Sequence, residues 1–153
     1  MKLFLLLFIH YAVATHWFVR STGEHYLNTG PSCLQVELTD GGGGGSLCSA
    51  FGNGKPGESA TARQYTVEWN DEYLYVTVGK GGALEQEGGR TFISDVSSYS
   101  LSARVWASVF RPERFGAVAG EGGRGCNRTH PFTHGSDGAA TIYRLGDLPC
   151  PRL

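Results

Sequence analysis

The sequence predicts an all-β fold: a small antiparallel β-sandwich, jelly-roll-like, with glycine-rich loops or short polyglycine-II helices and with disulfide links. Three observations lead to this expectation. Apolar and polar residues alternate in several short segments, as is typical of half-buried strands. Glycine supplies 23 of the 153 residues, about twice its ordinary share. Cysteine occurs four times, and an even number in a small chain favours a disulfide framework.

Period-two alternation defines the predicted strands. Leu34, Val36 and Leu38 alternate with polar residues in the first of them. Other segments with the same alternation or with β-rich composition are 65–69, 74–78, 91–93 and 141–145. The segments 65–69 and 74–78 flank an Asn-Asp dipeptide, which predicts a hairpin.

Residues 96–110 are ambiguous between strand and helix. Asp95 could cap a helix, and several aromatic residues fall loosely on one helical side. The alternation from Leu101 to Val109, the serines and the β-branched residues favour a strand. We expect a strand here, with a helix as the alternative.

The glycine clusters raise the question of whether the run GGGGG at 41–45 is a tether or a folded element. It lies between Cys33 and Cys48, so disulfides would pin at least one end. Further clusters at 79–82 and 120–125 offer it packing partners, because backbones without side chains can approach closely. We interpret the run as an internal element of the fold, with a linker as the alternative.

The N-terminus has the pattern of a secretory signal peptide. Lys2 precedes an apolar run, and Ala12-Val13-Ala14 predicts cleavage after Ala14. The apolar run is far shorter than the ~20 residues of a membrane-spanning helix. We therefore expect a secreted, extracellular protein with no membrane span in the mature chain. The expected organisation is a signal peptide over 1–14, a candidate flexible segment over 15–32, one glycine-rich β-domain over 33–150 and a tail over 151–153.

Charge and cysteine content limit the partners and the chemistry. The formal net charge is −1 and no basic cluster stands out, so we expect no nucleic-acid partner. The oligomeric state is not predicted. The four cysteines, Cys33, Cys48, Cys126 and Cys150, predict two disulfides, and all three possible pairings stay open. The sequence contains no Cys-x-x-Cys spacing, which is the spacing that would suggest a metal site.

Candidate chemistry is confined to one loop. His130 and His134 are four residues apart, with Asp137 nearby, so they are weak candidates for metal ligands or for the active site of a secreted hydrolase. Pro131 and Gly135 disfavour the helix on which this spacing would converge. We expect a polar surface loop, no enzymatic activity and no cofactor.

Two further sets of residues are candidates for function. Asn127-Arg128-Thr129 is an N-glycosylation sequon, so Asn127 is a predicted glycan acceptor. Tyr73, Tyr75 and Trp106 are candidate partner-binding aromatics if they stay exposed, because such rings contact proteins and glycans well.

Three stretches resemble a known family. They are YTVEWNDEYLYVTVGKGGALEQEGGRTFI (65–93), GAVAGEGGRG (116–125) and GSDGAATIYRL (135–145). This pattern is similar to the extracellular glycine-rich domains of anaplastic lymphoma kinase and leukocyte tyrosine kinase and of phage tail adhesins. The resemblance covers roughly 41–145. It implies a β-sandwich carrying packed glycine helices and a binding or adhesive role, with a protein or glycan as partner. A structural or defence protein with a glycine-rich surface is the alternative to binding, beside the hydrolase.

Overall fold

A computed structural model of the protein describes residues 16–95, 109–110 and 119–151. The described chain forms eight strands. They are β1 (His16–Val19), β2 (Gly23–Asn28), β3 (Ser32–Thr39), β4 (Arg63–Trp69), β5 (Tyr73–Val78), β6 (Phe92–Asp95), β7 (Val109–Phe110) and β8 (Ala139–Gly146). Over these ranges the structure contains no helix, and therefore none long and apolar enough to cross a membrane.

The strands form two antiparallel sheets, in the orders β1-β8-β3-β4-β7 and β2-β5-β6. Both sheets contribute alternate side chains to one core. Val36 and Ile142 from the first sheet and Leu74, Val76 and Ile93 from the second are completely buried in it. The predicted all-β, disulfide-linked fold with two antiparallel sheets is confirmed. The jelly-roll connectivity stays a prediction.

The hairpin expected around Asn70-Asp71 is wrong. β4 pairs with β3 and β7 in one sheet, whereas β5 pairs with β2 and β6 in the other. The connection therefore crosses between sheets, and the indole nitrogen of Trp69 donates to the Tyr73 carbonyl across it at 3.1 Å. Alternation in the sequence shows that one face of each strand is buried. Two strands paired in a hairpin and two strands that face each other across a core show the same alternation, so the sequence pattern does not distinguish them.

The boundary expected at residue 33 also differs from the structure. Residues 16–28 lie in the segment that the sequence set apart as a candidate flexible region. They form β1 and β2, which are edge strands of the five-stranded and three-stranded sheets, respectively. Each of these strands pairs along one side only, β1 with β8 and β2 with β5, so the backbone groups on that side are bonded within the fold. The predicted signal peptide and its cleavage site after Ala14 lie outside the described residues, as do 96–108.

Two disulfides close the fold, as predicted. Cys33 bonds to Cys150, and Cys48 bonds to Cys126. The sequence separations are 117 and 78 residues, so both bonds cross-link distant parts of the chain. In the loop-entropy model, each such link destabilises the unfolded chain by about 4–5 kcal/mol.

Glycine-containing segments continue from the strand ends. The central one, residues 41–46, follows β3 after a single residue, Asp40. Five others surround it, and we call the six together the glycine bundle. The five are residues 54–60 before β4, 79–83 after β5, 85–89 before β6, 120–126, and 133–138 before β8.

Backbone hydrogen bonds hold the central segment to its neighbours, at N···O distances of 2.8–3.0 Å. The N–H groups of Gly41, Gly42 and Gly43 donate to the carbonyls of Gly89, Ser136 and Glu58, respectively. The series then repeats in the same order, from Gly44 to Gln86, from Gly45 to Thr133 and from Ser46 to Lys55. A direction that recurs every third residue is the signature of an extended helix with three residues per turn and no internal hydrogen bonds.

The packing around the central segment leaves no room for a side chain at most of its glycine positions. A Cβ on Gly42, Gly44 or Gly45 would overlap a backbone carbonyl of a neighbouring segment. The run GGGGG is therefore an internal element of the fold, joined on several sides to the rest of the chain, and it is not a tether.

Candidate functional site

Three tyrosines form a cluster on the three-stranded sheet. Tyr26 of β2 is the register partner of Tyr75 of β5, and their ring centroids are 3.8 Å apart. The ring of Tyr73 lies edge-on to that of Tyr26, with centroids 6.4 Å apart. Tyr26 and Tyr73 are 61% and 43% exposed, whereas Tyr75 is only 7% exposed. Tyr75 is thus the base of the cluster, and Tyr26 and Tyr73 present its surface.

The pleat of β5 places these rings. Leu74 and Val76 point into the core, so the alternate residues Tyr73 and Tyr75 point to the opposite face of the sheet. β2 carries Tyr26 to the same face, because antiparallel partners project to the same side of a sheet. The sequence predicted Tyr73 and Tyr75 as candidate contact residues but not Tyr26, which lies in the segment expected to be flexible. Trp106 lies outside the described residues.

The chemistry of the cluster is that of a contact surface. Each tyrosine ring combines an apolar face with a hydroxyl group. The exposed rings of Tyr26 and Tyr73 form an aromatic patch that is backed by Tyr75 and by the sheet. Such a patch can stack on apolar groups of a partner while the hydroxyls bond to its polar groups.

The His130–Asp137 loop is arranged by structural contacts. The backbone N–H of His130 donates to Asn127 Oδ1 at 2.7 Å, and the ring of His134 stacks on Phe132 with centroids 5.7 Å apart. Asp137 Oδ1 accepts a hydrogen bond from the Gly81 N–H at 2.9 Å. Within the described residues, no three histidine, cysteine or acidic side chains converge as a metal site would require. The structure therefore does not bring the three predicted residues together.

Asn127 is exposed, and its side chain is oriented by its own sequon. Its Oδ1 accepts bonds from the N–H and the hydroxyl of Thr129, both at 2.9 Å. The amide nitrogen, which is the atom a glycan would modify, makes no hydrogen bond to the described residues. The amide nitrogen is thus free of protein hydrogen bonds within the described residues, as attachment of a glycan requires.

A groove of about 530 Å³ opens on one side of the glycine bundle. Its floor is the backbone of Gly41, Gly43 and Gly44, and its two walls are residues 56–60 and 85–88. Asp40 and Arg63 also line it and form an ion pair with an N···O distance of 3.9 Å. The groove is polar because backbone groups and charged side chains make up most of its surface.

Comparison with protein-family models, with curated proteins and with solved structures found no match to this chain. The resemblance to extracellular glycine-rich domains therefore stays a prediction that rests on the quoted motifs.

Proposed function

We propose that this chain is an extracellular, non-catalytic binding module that recognises a protein or glycan partner through its tyrosine cluster. The observation that carries the proposal is the exposure of Tyr26 and Tyr73 above a buried Tyr75. Large aromatic rings on a rigid support lose little conformational entropy on binding, and they are enriched in contact surfaces for that reason.

The rest of the fold supports a role outside the cytosol. Two disulfides persist in oxidising compartments and are rare in the reducing cytosol. The tyrosines stand on a three-stranded antiparallel sheet, which supports them as a surface for recognition.

The glycine bundle supports a relationship with the extracellular glycine-rich domains. That relationship predicts that the runs at 41–45 and 116–125 lie side by side. In the described part of these runs, the Gly123 N–H donates to the Gly43 carbonyl at 2.7 Å. The adhesive role that the resemblance implies is therefore part of the proposal.

The test is a binding screen with matched surface variants. The purified, disulfide-intact protein is applied to an array of immobilised oligosaccharides and to a panel of receptor ectodomains. We expect at least one binder, and we expect the Tyr26→Ser/Tyr73→Ser variant to bind it at least about tenfold more weakly. Tyr143→Ser is the control, because Tyr143 is 37% exposed but lies on the other sheet.

Two outcomes would contradict the proposal. One is a binder whose affinity is unchanged in the double tyrosine variant. The other is the absence of any binder in both panels.

A further inference from the structure

The groove marks the one side of the central segment that no described segment covers. Going around residues 41–46, consecutive neighbours are bonded to each other. Gly89 donates to Lys80, Gly135 donates to Gly82, Thr133 donates to Arg124 and Gly57 donates to Gly123, at N···O distances of 2.7–2.9 Å. The neighbours therefore follow the order 85–89, 79–83, 133–138, 120–126 and 54–60. The first and the last of them are the two walls of the groove.

On the groove side, the carbonyl groups of the central segment lack hydrogen-bond donors within the described part of the chain. The oxygens of Gly42 and Gly45 accept bonds from Gly82 and Glu85, and those of Gly43 and Ser46 accept bonds from Gly123 and Cys126. Because directions recur every third residue, the third set consists of the Gly41 and Gly44 oxygens, which face the groove. Neither oxygen accepts a hydrogen bond from the described residues.

We propose that the groove binds a basic, glycine-rich segment of another polypeptide, which becomes the sixth neighbour of the central segment and the seventh segment of the glycine bundle. A strand in the same extended helix presents one N–H in a given direction every third residue, with a rise of about 3.1 Å per residue. Its N–H groups would thus meet the Gly41 and Gly44 oxygens in register. The volume of about 530 Å³ is within the range of peptide-sized and drug-sized binding sites.

Charge specifies the partner further. Among the described residues that line the groove, there are four carboxylates and one guanidinium. These groups are Asp40, Glu58, Glu85 and Glu87, and Arg63. A bound strand with arginine or lysine at its outward positions would place cations between two acidic walls.

An outer segment of the glycine bundle, residues 120–126, shows the sequence pattern that we expect for a strand bound in the groove. In residues 120–126, which read GEGGRGC, Gly123 is buried against the bundle. Glu121 and Arg124, three residues apart, are both exposed. A strand bound in the groove therefore needs two glycines for each outward residue, so the expected partner sequence is a Gly-Gly-Arg or Gly-Gly-Lys repeat.

The first test measures binding of labelled peptides to the disulfide-intact protein by fluorescence anisotropy. We expect a peptide of four Gly-Gly-Arg repeats to bind, and binding to weaken as salt is added. Four Gly-Gly-Glu repeats test the charge, and four Ala-Ala-Arg repeats test the need for glycine. If the Ala-Ala-Arg peptide binds as tightly as the Gly-Gly-Arg peptide, the attraction is only electrostatic and the proposal fails.

The second test changes the groove floor. A Cβ on Gly43 would point into the groove, with its nearest neighbours being Glu58 N at 3.2 Å and O at 3.5 Å and Gln86 O at 3.6 Å. Gly43→Ala should therefore fold and yet weaken Gly-Gly-Arg binding at least about tenfold, the loss expected for two ordinary backbone hydrogen bonds. Unchanged binding in a folded Gly43→Ala variant would overturn the proposal.

A third measurement needs no variant. On addition of the Gly-Gly-Arg peptide, the carbonyl ¹³C resonances of Gly41 and Gly44 should shift, because their oxygens gain hydrogen bonds. Those of Gly42 and Gly45 are internal controls, since their oxygens are already bonded. Equal shifts at all four carbonyls, or no shift, would also overturn the proposal. Binding through the groove is independent of the tyrosine cluster, so the Tyr26→Ser/Tyr73→Ser variant should bind this peptide normally.

Discussion

Replacing Gly44 with alanine should destabilise the protein far more than the same change at Gly43, the preceding residue in the chain. Both glycines belong to the central segment, and neither has a positive φ that would strain an alanine. The difference lies in what a methyl group would meet. At Gly44 it would overlap the Ala83 carbonyl and lie 2.8 Å from the Gly82 oxygen. At Gly43 the nearest atom is 3.2 Å away.

The expected loss of stability follows from the hydrogen bonds that the methyl group would break or strain. To admit the methyl group at Gly44, segment 79–83 has to move away from the central segment. That movement breaks the bond from Gly82 N to Gly42 O and strains the bond from Gly44 N to Gln86 O, both 2.8 Å long. Each bond contributes about 1 kcal/mol, and overpacking adds about 1–3 kcal/mol. Alanine also restricts the unfolded chain more than glycine does, and this offsets about 0.4–1 kcal/mol of the lost stability. We therefore expect a loss of about 2–4 kcal/mol for Gly44→Ala.

Thermal and urea unfolding of the oxidised proteins would measure this. The Tm of Gly44→Ala should fall by roughly 10 °C, given a few degrees per kcal/mol for a chain of this size. Gly43→Ala should stay within about 1 kcal/mol of the parent, since its small steric cost and its stiffening of the unfolded chain oppose each other. Equal stability of the two variants would refute the steric explanation, as would a free energy of unfolding for Gly44→Ala within about 0.5 kcal/mol of the parent.

Two other predictions concern the covalent structure. Under mild reduction followed by alkylation and peptide mass spectrometry, Cys48 and Cys126 should be labelled before Cys33, because Cys48 is exposed and Cys33 is completely buried; labelling in the opposite order would contradict this. When the chain is expressed in a eukaryotic secretory pathway, Asn127 should carry a glycan that Asn127→Gln and Thr129→Ala both remove, as seen by a mobility shift on deglycosylation; a parent protein with no shift would count against the sequon.

Several of the strands were predictable from the sequence, but their partners were not. Alternation located β3, β4, β5 and β8, because each of these strands has one face in the core. The same alternation could not say that β4 and β5 belong to different sheets, since that depends on which backbones bond over long distances. β2 was missed although His25 and Leu27 are partly buried between exposed neighbours. Its period-two pattern was present, but the candidate core residues are only two.

The candidate sites differ in how far the sequence could reach them. Alternation along β5 was enough to place Tyr73 and Tyr75 on one face, whereas their contact with Tyr26 depends on a register between distant strands. The groove could not be predicted at all. Glycine has no side chain whose pattern reports a direction, so only the hydrogen bonds between the segments reveal which side of the central run is open.

The glycine content of each segment follows from how many neighbours it has. The central segment touches five described segments and is glycine at every position except Ser46, whereas the outer segment 120–126 carries Glu121 and Arg124 where it faces solvent. A side chain at Gly41, Gly42, Gly44 or Gly45 would overlap a neighbouring backbone, so the described contacts require glycine at those four positions. They do not require it at Gly43, whose Cβ would enter the groove with one tight contact, 3.2 Å from the Glu58 nitrogen. A strand bound in the groove would impose on Gly43 the requirement that the other five segments impose on the rest of the run.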